Sequence, residues 1–152
     1  MPVGYSGTPL LKKLGIGPGT QLAVLGKPKE YESLLGELPP DSVIQSEPNT
    51  DTTLVHAFVT ERLDLESLLK QLLEELADTV PVWISWPKKS SKVPTTITEN
   101  VIRDVALPLG FVDIKVCAVS EVWSALKLVV RKELRGTIVA KPNVNAKRKK
   151  QA

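Results

Sequence analysis

Residues 79–92, TVPVWISWPKKSSK, are the most informative part of this chain for its fold. Residues 82–86 form a short apolar run, which is typical of a strand covered on both faces. Trp86-Pro87 ends the run, and a basic, serine-rich turn follows it. A buried strand that leads into a charged loop is how an open α/β sheet presents its ligand-facing edge, so we expect residues 82–86 at the centre of such a sheet.

The segments before this strand alternate between strand and helix patterns. Apolar runs predict strands over residues 21–25, 43–45 and 54–59. Helices are predicted over residues 30–38, with Leu34, Leu35 and Leu38 inward, and over a leucine stripe that Asp64 or Thr60 would cap. The stripe repeats at helical spacing through Leu65, Leu68, Leu69, Leu72, Leu73 and Leu76.

The segments after it predict one more helix and a hairpin. Thr96 and Glu99 have the spacing of a capping box for a helix to about Leu107, with Val101, Ile102 and Val105 inward, and Pro108 and Gly110 would end it. Apolar and polar residues then alternate over residues 112–118 and 126–131, which predicts an antiparallel hairpin. The whole order indicates an α/β fold of three layers, with a mostly parallel sheet, helices on both faces and an antiparallel hairpin at one edge.

Length and composition indicate one globular domain. The chain has 152 residues, of which 42% are hydrophobic and 24% charged, as in ordinary soluble proteins. We expect an arm over residues 1–19, anchored on the body, a single α/β domain over residues 20–134, and a tail over residues 135–152. The anchors of the arm are Leu10, Leu11, Leu14 and Ile16.

The net charge of +3 belongs mainly to that tail. Residues 141–152, KPNVNAKRKKQA, hold five Lys and Arg and no acid, so the rest of the chain carries −2. Residues 141–152 contain too few apolar side chains to form a packed core, so this segment is predicted to be disordered. Two interpretations stay open, a solubilising tail and a weak, nonspecific contact with nucleic acid or another anionic surface.

Several classes of protein and chemistry are not indicated. No apolar run reaches the length of a membrane helix, and the first residues lack the pattern of a secretion signal. The single Cys117 excludes an internal disulfide, which suits the reducing cytoplasm. We therefore expect a cytoplasmic protein, and the lack of a long apolar run predicts no membrane contact. His56 is expected to be a hydrogen-bonded core residue and Cys117 a buried, inert thiol, which leaves no metal site and no catalytic residue.

Three separated segments resemble a bacterial family named domain of unknown function 3052. They are GYSGTPLLKKLGIGPG at 4–19, VWISWPKKSS at 82–91 and LGFVDIKVCAVSEVWSALKLVVRKE at 109–133. The resemblance covers about residues 3–134. It implies no particular activity.

The layout also resembles, more distantly, a truncated class I S-adenosylmethionine methyltransferase, a Rossmann-like fold. GIGPGTQLAVLG at 15–26 is similar to the lead into the first strand of that family. The family then has a glycine-rich loop against its cofactor, whereas this chain has Gly26-Lys27-Pro28-Lys29-Glu30. Glu47 stands 21 residues after Gly26, where a ribose-binding acid would fall, but a loop residue is the simpler interpretation. The resemblance therefore implies the sheet without the cofactor, and we expect none.

Basic residues follow three of the predicted strands and would meet at one edge of the sheet. The serines of the turn, with Thr95 and Thr96, would add hydroxyl donors, and Trp86 or Trp123 a flat apolar wall. The predicted ligand-binding residues are Lys27, Lys29, Arg62, Trp86, Lys88, Lys89, Ser90, Ser91 and Lys92. A solvated charged rim around a buried Trp86 is the other interpretation.

Function is open between three classes of protein. The first is a noncatalytic cytoplasmic protein that binds a protein partner or a small anionic ligand at this edge. The second is a divergent group-transfer enzyme that uses the same edge. The third is a nucleic-acid-associated protein that acts through the basic tail.

Overall fold

The computed structural model describes residues 9–135. Its four α-helices are α1 (Leu10–Leu14), α2 (Tyr31–Leu35), α3 (Arg62–Glu75) and α4 (Glu99–Leu109), with 3-10 turns at Lys89–Ser91 and Lys132–Leu134. Its six strands are β1 (Gln21–Leu25), β2 (Val43–Gln45), β3 (Leu54–Phe58), β4 (Val82–Pro87), β5 (Phe111–Ala118) and β6 (Trp123–Val130).

The strands form one mixed sheet in the order β2-β1-β3-β4-β6-β5. The first four are mutually parallel, while β6 runs antiparallel to both β4 and β5. β4 lies inside the sheet between β3 and β6, which confirms the prediction from residues 82–86. The hairpin of β5 and β6 forms one edge, as its period of two predicted.

Helices cover both faces of this sheet, so the predicted three-layer α/β fold is confirmed. On one face, α3 and α4 pack over side chains such as Val82, Ile84 and Leu126, and we call this the aliphatic face. On the other, α1 and α2 cover side chains such as Trp83, His56 and Phe58, and we call this the aromatic face.

The leucine stripe of α3 lies against the sheet as predicted. Leu65, Leu69, Leu72 and Leu76 are buried, while Leu68 and Leu73 pack at the margin of the same core. The predicted caps are wrong. The helix begins at Arg62, and the backbone N–H of Arg62 donates to Thr96 Oγ1 at 2.7 Å. A hydroxyl from a distant loop therefore replaces the local cap that Asp64 or Thr60 would have supplied.

The predicted capping box of α4 is also wrong. Thr98 is the N-cap, and its side chain accepts from the Val101 N–H, which leaves Thr96 to α3. Ile102 and Val105 are buried as expected, but Val101 is only half-buried. The helix ends at Gly110, which is left-handed at φ 107°, with Pro108 tolerated inside the last turn.

Two helices lie outside the predicted pattern. α2 is shorter than predicted because Gly36, at φ 76° and ψ −151°, takes a conformation that stops the helix. Its buried residues are Tyr31 and Leu35, while Leu34 and Leu38 pack at the margin. α1 was not predicted; it buries Leu10 and Leu14, and Ile16 is buried just after it.

Two further expectations concern membrane-spanning helices and the terminal segments. Within residues 9–135, no helix is both long and apolar enough to cross a membrane. Residues 1–8 and the basic tail lie outside the described residues, so the expected disorder of the tail stays a prediction.

Candidate functional site

The carboxyl edge of the sheet contains a topological switch point between β1 and β3. The chain leaves β1 for β2 on one side and then returns to β3 on the other. Open α/β sheets bind ligands in the crevice that forms at such a point. Gly26 lies there at φ 68°, and a Cβ on it would come within 2.6 Å of the Phe58 carbonyl oxygen. The glycine therefore permits close contact between two strand ends of the protein itself.

Ring side chains fill the aromatic face beside this point. Tyr31, at the start of α2, is fully buried and meets the Phe58 ring edge to face at a centroid distance of 5.5 Å. The rings of His56 and Phe58 stack at 4.4 Å, and Trp123 packs edge-on against Phe58 at 5.0 Å. These rings pack against one another beside the switch point.

A hydrogen-bonded chain of three side chains runs through the same core. Tyr31 Oη lies 2.8 Å from His56 Nδ1, and His56 Nε2 lies 2.6 Å from Ser85 Oγ. Burial lowers the pKa of His56 to about 3 and raises the pKa of the Tyr31 hydroxyl above its usual range. Both groups are neutral at pH 7, so one ring nitrogen of His56 donates and the other accepts. The predicted hydrogen-bonded core histidine is confirmed.

Threonine side chains join the loops that follow β3 and β4. Thr95 Oγ1 donates to the Thr60 carbonyl at 2.7 Å, and the Thr96 N–H donates to the same oxygen at 2.9 Å. Thr96 Oγ1 accepts from the Arg62 N–H, as described above. The hydroxyls of Thr95 and Thr96, expected to face a ligand, are therefore used in joining these two loops.

Two of the predicted basic residues already have acidic partners. Lys27 forms a salt bridge with Glu32 across the start of α2. Arg62 Nε lies 3.3 Å from Glu66 Oε2, one helical turn further along α3. These partners reduce the positive charge that either side chain offers to a ligand. Lys29 is exposed in the loop after β1.

The other basic residues lie on the turn after β4. Lys89, Ser90 and Lys92 are exposed, and Lys88 is half-buried. Ser91 Oγ donates to the Lys88 carbonyl at 2.7 Å, and Lys92 takes the left-handed conformation at φ 62° that closes the turn. Within residues 9–135, Lys88, Lys89 and Lys92 make no salt bridge. This turn holds the most available positive charge among the predicted site residues.

The predicted wall residue Trp86 is not at the surface. It retains 8% of its accessible area and packs in the core of the aliphatic face, because its position in β4 points it under α3 and α4. Trp123 is half-buried on the other face against Phe58. Glu47 is exposed in a bend after β2, in agreement with its interpretation as a loop residue.

The residues that matter most at the switch point were missed in the sequence. Tyr31 and Phe58 were not among the predicted site residues, although a signal for Tyr31 was present. Tyr31 and Leu35 stand at i and i+4, so a stripe that began four residues earlier would have placed Tyr31 inward. Phe58 could not be distinguished from any other apolar residue of a buried strand.

The potential metal ligands, Cys117 and a small pocket complete the description of the residues outside this edge. Residues 9–135 contain no group of three or more His, Cys, Asp or Glu placed to hold a metal ion. Burial raises the pKa of the half-buried Cys117 thiol, with Lys13 and Lys115 acting in the opposite direction. A small apolar pocket lies at the opposite, amino edge of the sheet, lined by Leu76, Val82 and Phe111 among others.

Comparison with solved structures identifies the fold. The crystal structure of TrmN from Thermus thermophilus matches 80% of this chain with a TM-score of 0.51 at 14% identity. That of a putative type 11 methyltransferase from Sulfolobus solfataricus matches 81% with a TM-score of 0.51 at 11% identity. The fold is methyltransferase-like.

These similarities concern the fold alone. The match covers 47% of TrmN, so this chain spans about half of the length of that protein. The second match covers 90% of the Sulfolobus protein. No protein-family model matches the chain. No curated protein sequence matches it either.

Proposed function

We propose that this chain is a noncatalytic, cytoplasmic protein with a methyltransferase-like sheet that binds a partner or small anionic ligand at its carboxyl edge. The observation that carries the proposal is the packing of the switch point. Tyr31 and Phe58 lie beside the switch point where such sheets bind a ligand, and their rings meet edge to face. The loops around this crevice are then the part of the chain that binds the partner or ligand.

The basic turn after β4 supports an anionic ligand. Lys88, Lys89 and Lys92 stand together on a short turn and make no salt bridge within the described residues. The turn is held in place by the Lys88 N–H, which donates to the Val122 carbonyl at 2.7 Å, and by the Ser91 hydroxyl. A fixed backbone lowers the entropic cost of ordering the lysines around an anion.

A first experiment tests the loss of the cofactor site. Titration calorimetry with S-adenosylmethionine should give no binding heat, because Tyr31 and Phe58 pack beside the switch point. Micromolar affinity would overturn the noncatalytic proposal and favour the enzyme.

A second experiment tests the anion site by thermal unfolding in phosphate. A ligand that binds only the folded protein stabilises it by about 2.7 kcal/mol at 100 times its dissociation constant. Changing Lys88 and Lys89 to Ala should remove this stabilisation. The matched control changes Lys70 and Lys132, which are exposed elsewhere, to Ala and should keep it. Equal stabilisation of the Lys88/Lys89 variant and the wild type would mean that phosphate stabilises the protein only by general salt exclusion, and would contradict the anion site.

A divergent group-transfer enzyme is the second candidate. The similarity of the fold to a putative type 11 methyltransferase favours it. In that case the ring cluster would have to open to admit a donor molecule. Enzymatic transfer of a methyl group to any acceptor, lost when Gly26 is changed to Val, would support it.

Two finer assignments are part of this proposal. Membership of domain of unknown function 3052 is supported by the three sequence segments quoted above. Contact with nucleic acid through residues 141–152 is supported only by their charge.

A further inference from the structure

The strand β5 has one side without a strand partner in the described part of the chain. It stands last in the order of the sheet and pairs only with β6. Its middle residues face solvent, since Ile114 and Val116 keep 53% and 52% of their accessible area. The Ala118 carbonyl at the end of β5 accepts a hydrogen bond from Lys13 Nζ of α1 at 3.3 Å. The rest of this side presents backbone groups beside apolar side chains, a surface to which another strand can add.

Two lysines lie directly opposite each other on this hairpin. Lys115 of β5 pairs in register with Lys127 of β6, so both side chains project from the aromatic face. Lys127 Nζ lies 5.8 Å from the ring centroid of the buried Trp83, which holds that charge close to the sheet. Like charges opposite each other destabilise a strand pair. An acidic group placed over both would offset this repulsion.

The charges also determine which strand can be added. In a second copy paired edge to edge through β5, the Lys115 side chains of the two copies would lie near each other, which adds to the repulsion. The segments of this chain outside residues 9–135 contain no Asp or Glu, so neither can supply the acidic group. Asp113, the acid on β5 itself, is 3.0 Å from Arg103 of α4 and is already paired.

We propose that β5 binds an extended, acidic segment of another protein, which adds to the sheet as a seventh strand. Main-chain hydrogen bonds to β5 would supply affinity. Side chains of the added strand alternate between the two faces, so acidic residues would lie near Lys115 and Lys127 and apolar residues beside Val116. The register shift between Asp113 and Lys115 and the bond from Lys13 Nζ to the Ala118 carbonyl limit continuous pairing mainly to residues 115–117. This surface is separate from the carboxyl-edge turn, and the two proposals can fail independently.

The test uses the full chain and a short peptide of alternating glutamate and valine, followed by titration calorimetry. We expect saturable binding that weakens at least tenfold in Lys115→Glu and less severely in Lys115→Gln. The matched control is Lys70→Glu, an exposed lysine on α3 whose change should alter affinity less than twofold. Val116→Lys should also weaken binding, because a lysine on an edge strand opposes pairing.

Two altered peptides separate strand addition from simple charge attraction. A peptide with lysine in place of glutamate should not bind, and one methylated at its main-chain nitrogens should bind at least tenfold more weakly. The single Cys117, within this pairing segment, should react more slowly with iodoacetamide when the acidic peptide is bound.

Several outcomes would overturn the proposal. They are absence of binding to the wild type, equal loss in Lys115→Glu and Lys70→Glu, and equal affinity for the methylated peptide. Sedimentation that shows a dimer broken by Val116→Lys would assign the edge to a second copy instead. Equally tight binding of a single-stranded oligonucleotide, also lost in Lys115→Glu, would assign it to nucleic acid.

Discussion

The two faces of the sheet are built on different principles. On the aliphatic face, α3 and α4 have 14 and 11 residues and bury mainly Leu, Ile and Val. On the aromatic face, α1 and α2 have five residues each and cover Tyr31, His56, Phe58 and Trp83. The first face is held by apolar burial over long helices. The second adds directed hydrogen bonds among polar atoms that water cannot reach.

The difference shows how short helices can be fixed on a sheet. A helix of five residues buries too little apolar area to hold its position by packing alone. On the aromatic face, the Trp83 indole N–H donates to the Leu14 carbonyl at 2.9 Å and fixes the end of α1. The Tyr31 hydroxyl ties the start of α2 to His56 in the same way. The same packing lies beside the switch point between β1 and β3.

The largest expected loss of stability comes from a substitution on the aliphatic face. Leu69→Ala should lower the free energy of unfolding by about 3 kcal/mol, because a fully buried side chain is lost between long helices that can close the cavity only partly. Leu35→Ala on α2 is the matched change, and its cost should be smaller because a short helix can shift inward. Urea unfolding measures both. A larger loss for Leu35→Ala would contradict the proposed difference between the faces.

Substitutions at two glycines distinguish destabilisation by backbone strain from destabilisation by steric overlap. Gly15 and Gly26 both have positive φ, but only Gly26 has an atom within 4 Å of an added Cβ. Gly26→Ala should cost about 2 kcal/mol and Gly15→Ala about 1 kcal/mol. Chemical unfolding of both variants checks this order. Equal costs would mean that β1 and β3 can separate at the switch point.

Removing the Tyr31 hydroxyl tests the polar core of the aromatic face. Tyr31→Phe keeps the ring but leaves His56 Nδ1 without this partner, which should cost about 1.5 kcal/mol. Ser85→Ala removes the partner of the other ring nitrogen and should cost a similar amount. Unfolding free energies at pH 7 measure both, and changes below a few tenths of a kcal/mol would show that the chain of hydrogen bonds contributes little.

His56 also makes the stability of the aromatic face depend on pH. Its pKa is about 3 in the folded protein and 6.5 when unperturbed, so the unfolded chain binds the proton first as pH falls. Stability should therefore be fully present above pH 6.5 and fall below it, by at most about 1.4 kcal/mol per pH unit. The window between pH 6.5 and 5 avoids most carboxylate titration.

The control for this pH effect removes the titrating group together with its partners. A variant with His56→Leu, Tyr31→Phe and Ser85→Ala should be nearly flat between pH 6.5 and 5. A wild-type stability that rises as pH falls through this window would contradict burial of a neutral His56.

Much of the architecture can be predicted from local patterns. The bounds of β1 and β2, the leucine stripe of α3 and the hairpin follow from the period of apolar residues, because each pattern matches one regular geometry. The switch point could also be expected, since a parallel order with one reversal creates it. The positive residues at the carboxyl edge follow from the strand ends, but their partners do not. Lys27 is paired with Glu32 and Arg62 with Glu66.

The layers of this protein can be predicted from local patterns, whereas the contacts that join its loops and its aromatic core arise only in the folded chain. Thr96 caps α3, 34 residues away in the chain, although its local spacing predicted a cap for α4. Tyr31 reaches His56 across 25 residues, beside the switch point. Hydrogen-bond partners of buried groups are set by proximity in the folded state, which no local period encodes. Burial of regular elements depends on side chains at fixed spacing, and that information is local.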